Sequence, residues 1–561
     1  MINNVLEKIV KECINNIGYD IDVNVINSNR PELCDYQFDG CFKLASIYKK
    51  NPIEIGEEIE KSINSISNFN DYFKKVEFVR PGFINMTLSN KIINKILKNM
   101  NDNEKFNIKQ EKEELYFLDY GGANVAKPLH VGHMRTAIIG ESIKRILNYM
   151  GHKTICDVHL GDYGLQIGEV IYGIKKDNLS IDDIDINYLD KIYPYMSKLC
   201  KEDEKIKEEC ALITKELQEG NDEYRKLWKK ILEVSKKDIK KNYDYLGVNF
   251  DLWLGESDSY NDIKETEELL KSKNLLTLSD GALVVDVKED TDKKEIPPLL
   301  FKKSNGAYLY ASTDLATLLE RKRDYNPDHV LYVTDLRQAL HFEQVFRVSD
   351  KAGIISKEKL EHLPYGTANG LDGKPFKTRN GDNPKLENLF NEAKEIFKSK
   401  KESNLDMSES DLDKIVNSIV KFADLQNNRE KDYIFDINKF SEVVGKTGPY
   451  ILYTYLRINK ITKNVDIISD NIYNDSDRNL RLKLLELERS VKNAYINRMP
   501  NFIAEYLYDL CVCANAFYQN NHLSNLDDDT KRNDWMYVLN LTNKVIKEML
   551  NLLVIEIPTI M

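Results

Sequence analysis

What this sequence lacks already narrows its class. Nowhere among its 561 residues do about 18 apolar residues run together, so no membrane span is expected. No Cys-x-x-Cys pair occurs. The eight cysteines are scattered, and Cys511-Val512-Cys513 is too closely spaced for half of a usual zinc site. The expectation is reduced thiols in a cytoplasmic protein, without zinc. The opening stretch, MINNVLEKIVKECINNIGYD, lacks the basic start and unbroken apolar centre of a secretory signal. It reads instead as an amphipathic helix with Val5, Ile9, Cys13 and Ile17 on one side. Positive charge is also in deficit, with 80 Lys and Arg against 91 Asp and Glu, a net charge of -11. That argues against a non-specific nucleic-acid coat. It leaves room for a nucleic-acid partner on a local basic face, because local charge decides phosphate contact.

What is present suits a large folded protein. Hydrophobic residues make up 42% of the chain, enough for a sizeable core. The length fits about three or four domains. Residues 1–105 read as a separate α+β module, closed by the alternating segment VEFVRPGFINMTLS and followed by a polar linker from Asn101. Residues 106–405 alternate short apolar strands with helices. YFLDY, KTICDV, GALVVDV, AYLYAS and HVLYVTD are the strand candidates. This pattern predicts a mostly parallel, doubly wound, Rossmann-like sheet. A charged helical stretch at about 172–245 is expected as an insertion between its halves. From 406 to 561 strand signals nearly vanish, and TGPYILYTYLRINKI, NFIAEYLYDLCVCANAFYQ and DWMYVLNLTNKVIKEMLNLL carry helical periodicity. The fold class is therefore multidomain α/β plus all-α, ending in a C-terminal helical bundle.

The densest chemical signal is LDYGGANVAKPLHVGHMRTAIIGESIKRIL, from Leu118 to Leu147. A strand, a Gly-rich turn and a helix start follow one another, and His130 and His133 sit at the turn. A helix N-terminus offers unpaired N–H groups and partial positive charge to phosphate. Two imidazoles there add donors, Gly132 leaves room for close backbone approach, and Lys127 could reach the same phosphates. A second element, Leu371-Asp372-Gly373-Lys374-Pro375-Phe376-Lys377-Thr378, places two lysines on a Gly/Pro-punctuated loop. Cations aimed at a reacting phosphate lower its barrier. A basic loop alone is a weak signal; paired with the histidines it is a strong one.

His130-Val131-Gly132-His133 is the His-x-Gly-His signature of class I nucleotidyl transfer. ANVAKPLHVGHMRTAIIGE resembles the signature of the arginyl-tRNA synthetases. DYQFDGCFKLA, HLGDYGLQIG, LYASTDLA, DLRQALH, KTGPYILYTYLRI and VIEIPTIM also match that family in order and spacing. The resemblance implies an arginine–tRNA ligase: ATP, accompanied by Mg²⁺, activates L-arginine to arginyl-adenylate, and the arginyl group passes to the 3′ end of tRNA(Arg). It implies His130, His133, Lys374 and Lys377 as catalytic groups. Lys127, Gly132 and again His130, His133 and Lys377 would bind the nucleotide. Asp119, Asn124, His159, Tyr310, Asp314 and Gln338 would line the arginine pocket, with Asp314 pairing with the guanidinium and Tyr310 bonding to it. Tyr310 and Asp314 are expected together on the first turn of a helix. Tyr450, Tyr453 and Tyr455, near Arg457 and Lys460, would face tRNA or pack between helices. A monomer is the family's usual state. The sequence departs from the family at Lys374-Pro375-Phe376-Lys377-Thr378, which stands where relatives carry Lys-Met-Ser-Lys-Ser; both lysines survive. A cysteine- or glutamine-specific class I enzyme and a non-charging tRNA-binding paralogue are the alternatives. The lack of a Cys/His cluster argues against the cysteine type, and the intact histidines and lysines against the paralogue.

Overall fold

The computed structural model describes residues 1–375, 385–400, 407–462, 465, 469–523 and 526–561. The N-terminal module builds an antiparallel sheet from β1 (Val25–Asn27), β2 (Tyr36–Phe38), β3 (Phe73–Val79) and β4 (Phe83–Leu88), in the order β1-β2-β4-β3. Helices cover this sheet. Pro52–Asn64 starts where the Asn51 side chain accepts from the Ile53 N–H and Pro52 takes the first helical position. Asn90–Asp102 buries Ile92, Ile93, Ile96, Leu97 and Met100, a stripe at helical spacing.

The central sheet is parallel. It contains β5 (Leu115–Asp119), β6 (Lys153–Asp157), β10 (His329–Tyr332) and β11 (Leu360–His362), in the order β11-β10-β5-β6. The chain leaves β5 toward one edge and returns through β10 toward the other, so the crevice at the carboxyl ends of β5 and β10 is a topological switch point. In open α/β sheets that is where ligands bind. Three of the five strand candidates join this sheet. GALVVDV does not: its strand β8 (Ala282–Val285) lies between β7 (Leu276–Ser279) and β9 (Leu299–Lys302) in a separate antiparallel sheet. The turn at Asp280 and Gly281, both at positive φ, closes that hairpin. AYLYAS is also no strand. The Ser312 hydroxyl accepts from the Leu309 N–H and donates to the Phe301 carbonyl, and this starts the helix Tyr310–Asp324. The local capping chemistry overrides the apolar alternation.

After β6 come the helices Leu165–Lys176, Ile186–Glu202, Glu204–Glu219 and Asp222–Tyr245, which form the helical insertion. The C-terminal region contains the helices Glu409–Leu425, Gly448–Ile461, Asp475–Leu485, Leu487–Asn497, Asn501–Asn520 and Asp529–Leu552. One short parallel pair, β12 (Ala368–Asn369) with β13 (Tyr433–Ile434), ties it to the catalytic domain. Among the described residues no helix is long and apolar enough to cross a membrane.

The helix Val131–Tyr149 joins β5 to β6 and is buried almost all round between residues 133 and 143. It packs on the sheet and on the helices Glu409–Leu425, Leu487–Asn497 and Asp529–Leu552. The chain's last turns lie along it. Ser142 donates to the Leu552 carbonyl at 2.7 Å, across 410 residues of sequence. Arg145 donates to the Asn551 carbonyl at 2.9 Å. The buried amine of Lys421 caps the Val554 carbonyl at 2.7 Å.

The N-terminal module also docks on the C-terminal helices. The fully buried guanidinium of Arg481 reaches Asp477 and, across the interface, Asn94, both at 2.6 Å. The Trp535 indole N–H donates to Asp477 at 3.1 Å. Arg478 pairs with Asp35 at 2.6 Å. Removing one partner of a buried ion pair strands the other. Arg481→Ala is therefore expected to cost about 3–5 kcal/mol, read as a lower urea midpoint, whereas the exposed Lys215→Ala should leave that midpoint in place.

Candidate active site

At the switch point the histidine motif is a helix cap built from imidazoles. His130 is extended, at φ -124° and ψ 176°, and precedes the first helical residue, Val131. Its Nδ1 accepts from the Gly132 N–H at 3.1 Å. The Nδ1 of His133 accepts from the His130 N–H at 3.2 Å. The two rings stack with centroids 3.9 Å apart. An imidazole whose Nδ1 accepts must carry its proton on Nε2 when neutral. Burial holds both rings below the usual imidazole pKa; Lys127 adds to this at His130, and His130 and Lys127 add to it at His133. Near neutral pH both rings therefore present neutral Nε2–H donors. Gly132 is required by the same stack, since a Cβ there would sit 2.9 Å from the His130 ring. Lys127 lies over the Tyr193 ring of the insertion, its Nζ 4.7 Å from the centroid.

The lysine loop flanks this cap. After β12, the Gly370 N–H donates to the Lys374 carbonyl at 2.8 Å, closing a tight turn with Lys374 exposed. On the far side Leu386 donates to the Leu129 carbonyl at 3.0 Å, and Lys385 bridges to His130. Lys377 lies outside the described residues. The strand leading into the loop and the segment leaving it are thus both fixed near the histidines.

The arginine-pocket candidates fall into two groups. Asp119, at the end of β5, receives a bond from Arg321 at 2.6 Å, and Asp157, at the end of β6, lies 3.4 Å from the same guanidinium. Arg321 is buried between the rings of Phe117 and Tyr332. His159 sits in the left-handed region at φ 39°, a conformation that L side chains rarely adopt. Its Nδ1 is 3.4 Å from Asp157. Burial opposes a charge on His159, but Asp157 and Asp119 outweigh it and lift its pKa to about 9. Asn124 bridges to Gly161 on the following loop, bringing the Gly-rich turn beside His159. In the second group, Tyr310 opens its helix and is 66% exposed, while Asp314 lies one turn further along rather than beside it on the first turn. Four positions exceed the 3.6 residues of one turn, so the two side chains lie one above the other on the same helix face. Asp314 accepts from or shares a proton with His341 at 2.5 Å. Gln338 is exposed at the start of the helix Ala339–Ala352, which carries His341.

Sequence reasoning missed Arg321, Asp157 and Glu256. Arg321 and Asp157 act as one buried group with Asp119, and no local motif signals a partner 164 or 202 residues away. Glu256 is set by a bridge of Gly255 to Leu160 that extends the sheet edge. Burial raises its carboxyl to about 7, with Asp162 and Asp314 adding to the shift and His159 opposing it. Asp162 is itself held by the Ser257 N–H at 3.0 Å and hydroxyl at 2.6 Å.

A parallel sheet with an imidazole-capped helix at its switch point is the catalytic architecture of a class I aminoacyl-tRNA synthetase. Residues 93–437 match the class I tRNA synthetase (R) catalytic domain, residues 3–88 the arginyl tRNA synthetase N-terminal domain, and residues 451–561 the DALR anticodon binding domain. The chain is 40% identical to an arginine–tRNA ligase of Alkaliphilus oremlandii over 98% of both chains, and 39% identical to one of Agathobacter rectalis over 100% of this chain and 99% of the relative. It superposes on the arginyl-tRNA synthetase of Plasmodium falciparum with TM-score 0.82 at 28% identity, covering 100% of this chain and 99% of that one. A Mycobacterium tuberculosis methionyl-tRNA synthetase shares the fold alone, with TM-score 0.51 at 11% identity over 78% of this chain and 91% of that one. The chain belongs to the arginyl-tRNA synthetase family, and is an arginine–tRNA ligase.

Glu256, beside His159 and Asp314, is a candidate acid of the arginine pocket, where its titration near neutrality would make substrate capture pH-dependent. As pH rises through about 7 Glu256 ionises and gains attraction for a cation. The KM for arginine is therefore expected to fall between pH 6 and 8, and Glu256→Gln should raise KM and flatten that profile. An unchanged slope in the variant would remove Glu256 from arginine binding.

Proposed function

We propose that the two halves of the crevice divide the adenylation of arginine between them. The Nε2–H groups of His130 and His133, with Lys127, Lys374 and Lys377, receive the triphosphate of ATP. Mg²⁺ accompanies ATP in this class. Arginine lies across the ends of β5, β6 and β10. Glu256 and Asp314 attract the guanidinium, with Tyr310 and Gln338 at the rim. Asp119, Asn124 and His159 orient the amino and carboxylate end. The arginine carboxylate attacks the α-phosphorus, the bond to the bridging oxygen breaks, and pyrophosphate leaves with its electron pair. Charge then builds on the phosphate oxygens, which the imidazole and ammonium donors would stabilise. In the second step a 3′-terminal ribose hydroxyl of tRNA(Arg) attacks the activated carbonyl and AMP departs.

The observation that carries this reading is the shared tautomer of the two histidines. Both rings are locked by backbone N–H groups so that their free donors are the Nε2–H atoms. Specificity for arginine follows from acceptors matched to a planar, five-donor cation. A lysine side chain would leave some of them unpaired, a penalty that can reach about 10⁴-fold in such polar sites. The C-terminal helices offer tRNA an exposed Tyr453 and an Arg457 guanidinium stacked 3.7 Å over the Tyr518 ring. Tyr450 and Tyr455 pack at least partly between helices. The N-terminal module would grip the bend of the same tRNA. We place the enzyme in the cytoplasm as a monomer.

Aminoacylation with arginine, ATP and tRNA(Arg) tests the assignment. His133→Ala and Lys377→Ala are each expected to lower the rate by at least about tenfold with unchanged far-UV circular dichroism. Full activity in either variant would remove that residue from the mechanism.

A further inference from the structure

One fully buried cation close to the site has no role in the reaction described so far. Arg135 follows His133 by two positions on the helix Val131–Tyr149 and is 1% exposed. Its Nε lies 2.7 Å from the Asp424 carboxylate, in the helix Glu409–Leu425. Its Nη1 donates to the Gly366 carbonyl. The guanidinium sits 5.6 Å from the Tyr365 ring centroid and 5.0 Å from that of Tyr433. Tyr433 donates to the same carboxylate at 2.9 Å, and Tyr365 donates to the Gly132 carbonyl, inside the histidine motif, at 3.4 Å.

Gly366 begins the segment that becomes the lysine loop. Tyr365 still bridges to Asp335 at the edge of the parallel sheet. Beyond it the ladder stops, and β12 pairs with β13 instead. The position of the loop relative to the histidines is therefore not set by the main sheet. At Gly366 a Cβ would lie 2.6 Å from the Asp432 carboxylate and 2.7 Å from the Lys431 carbonyl carbon, so this backbone is pressed against the chain that forms β13. Arg135 is the group that joins all of these parts. One guanidinium holds the histidine helix, the entry to the lysine loop and the first C-terminal helix.

We infer that Arg135 is a positioning residue for ATP, fixing the separation of the histidine motif and the lysine loop by bonding the Gly366 carbonyl while anchored to Asp424. The inference rests on the assignment of those two elements to the triphosphate. Donors contribute fully to a transition state only when they are already in place, and a shift of about 1 Å can cost about 10²-fold. Lysine cannot substitute here, because a single ammonium lacks the planar fork that spans a carboxylate and a carbonyl between two rings.

The test is aminoacylation kinetics at saturating tRNA(Arg), with ATP and arginine varied separately, on full-length variants. The pair Arg135→Met with Asp424→Leu removes both charges together and strands neither. Arg135→Lys keeps the charge, Tyr365→Phe removes one hydroxyl, and His133→Ala is the reference. The double variant and Arg135→Lys are expected to lower kcat/KM for ATP by about tenfold or more, with the KM for arginine within about twofold and circular dichroism intact. Tyr365→Phe should show a smaller loss, also confined to ATP. Normal ATP kinetics in the Arg135 variants, or equal losses for both substrates, would overturn the inference. If the Arg135 variants do not fold, Tyr365→Phe decides by the same split. Normal ATP kinetics in His133→Ala would strike instead at the assignment of the motif to the triphosphate.

Discussion

A helix that starts at the ligand crevice and is buried along its length has to satisfy two demands at once. Its first N–H groups must stay available for function, yet unpaired donors in a protein interior are costly. Here the demands are reconciled by imidazole. The Gly132 and His130 N–H groups are taken up by ring nitrogens, and each ring then offers a donor of its own further out. The reach of the helix terminus is extended by the width of a five-membered ring. The rest of the architecture keeps that terminus where it is: the sheet beneath it, the C-terminal helices around it, and Thr136, which accepts from the Gly121 N–H at 3.0 Å and donates to the Val333 carbonyl at 2.6 Å. Thr136 thereby staples the helix to the loops leaving both central strands.

The candidate amino-acid pocket shows a related economy of charge. Asp119, Asp157, Arg321 and His159 form a buried group in which two acids face two cations. Isolated buried carboxylates would protonate; paired in this way, Asp157 is held at about 2 despite its burial. The group thus orients polar atoms without competing for a cationic side chain. Glu256 faces His159 without an ion pair of its own among the described residues, and Asp314 meets His341. These are the two acids proposed above to receive the arginine side chain.

Much of this was legible in the sequence wherever the signal is local. The strand–turn–helix order around His130, the amphipathic C-terminal helices and the three strands YFLDY, KTICDV and HVLYVTD all follow from short-range periodicity and appear in the fold. The misreadings have a common cause. AYLYAS has strand-like apolar residues, but a serine three positions past Leu309 caps a helix there. GALVVDV has the composition of a central strand and is used in a peripheral hairpin. Arg321, Glu256 and Arg135 escaped notice because charged residues are ordinarily solvated, and nothing within a few residues of them reveals that the two arginines are buried and Glu256 half-buried. Arg321 meets Asp157 164 residues away and Arg135 meets the Gly366 carbonyl 231 residues away, distances at which only the folded topology speaks.

The contacts of Ser142, Arg145 and Lys421 with the carbonyls of Asn551, Leu552 and Val554 carry a consequence for biosynthesis. The helix bearing the histidines emerges from the ribosome early, but one of its faces is covered only by chain made about 410 residues later. During translation that face remains exposed while the sheet can already form around β5 and β6. The end of that helix far from the histidines, at Ser142 and Arg145, therefore gains these bonds only once Asn551 and Leu552 have been made. A nascent chain or a C-terminally shortened fragment would carry the full signature motif and still hold an unfinished enzyme.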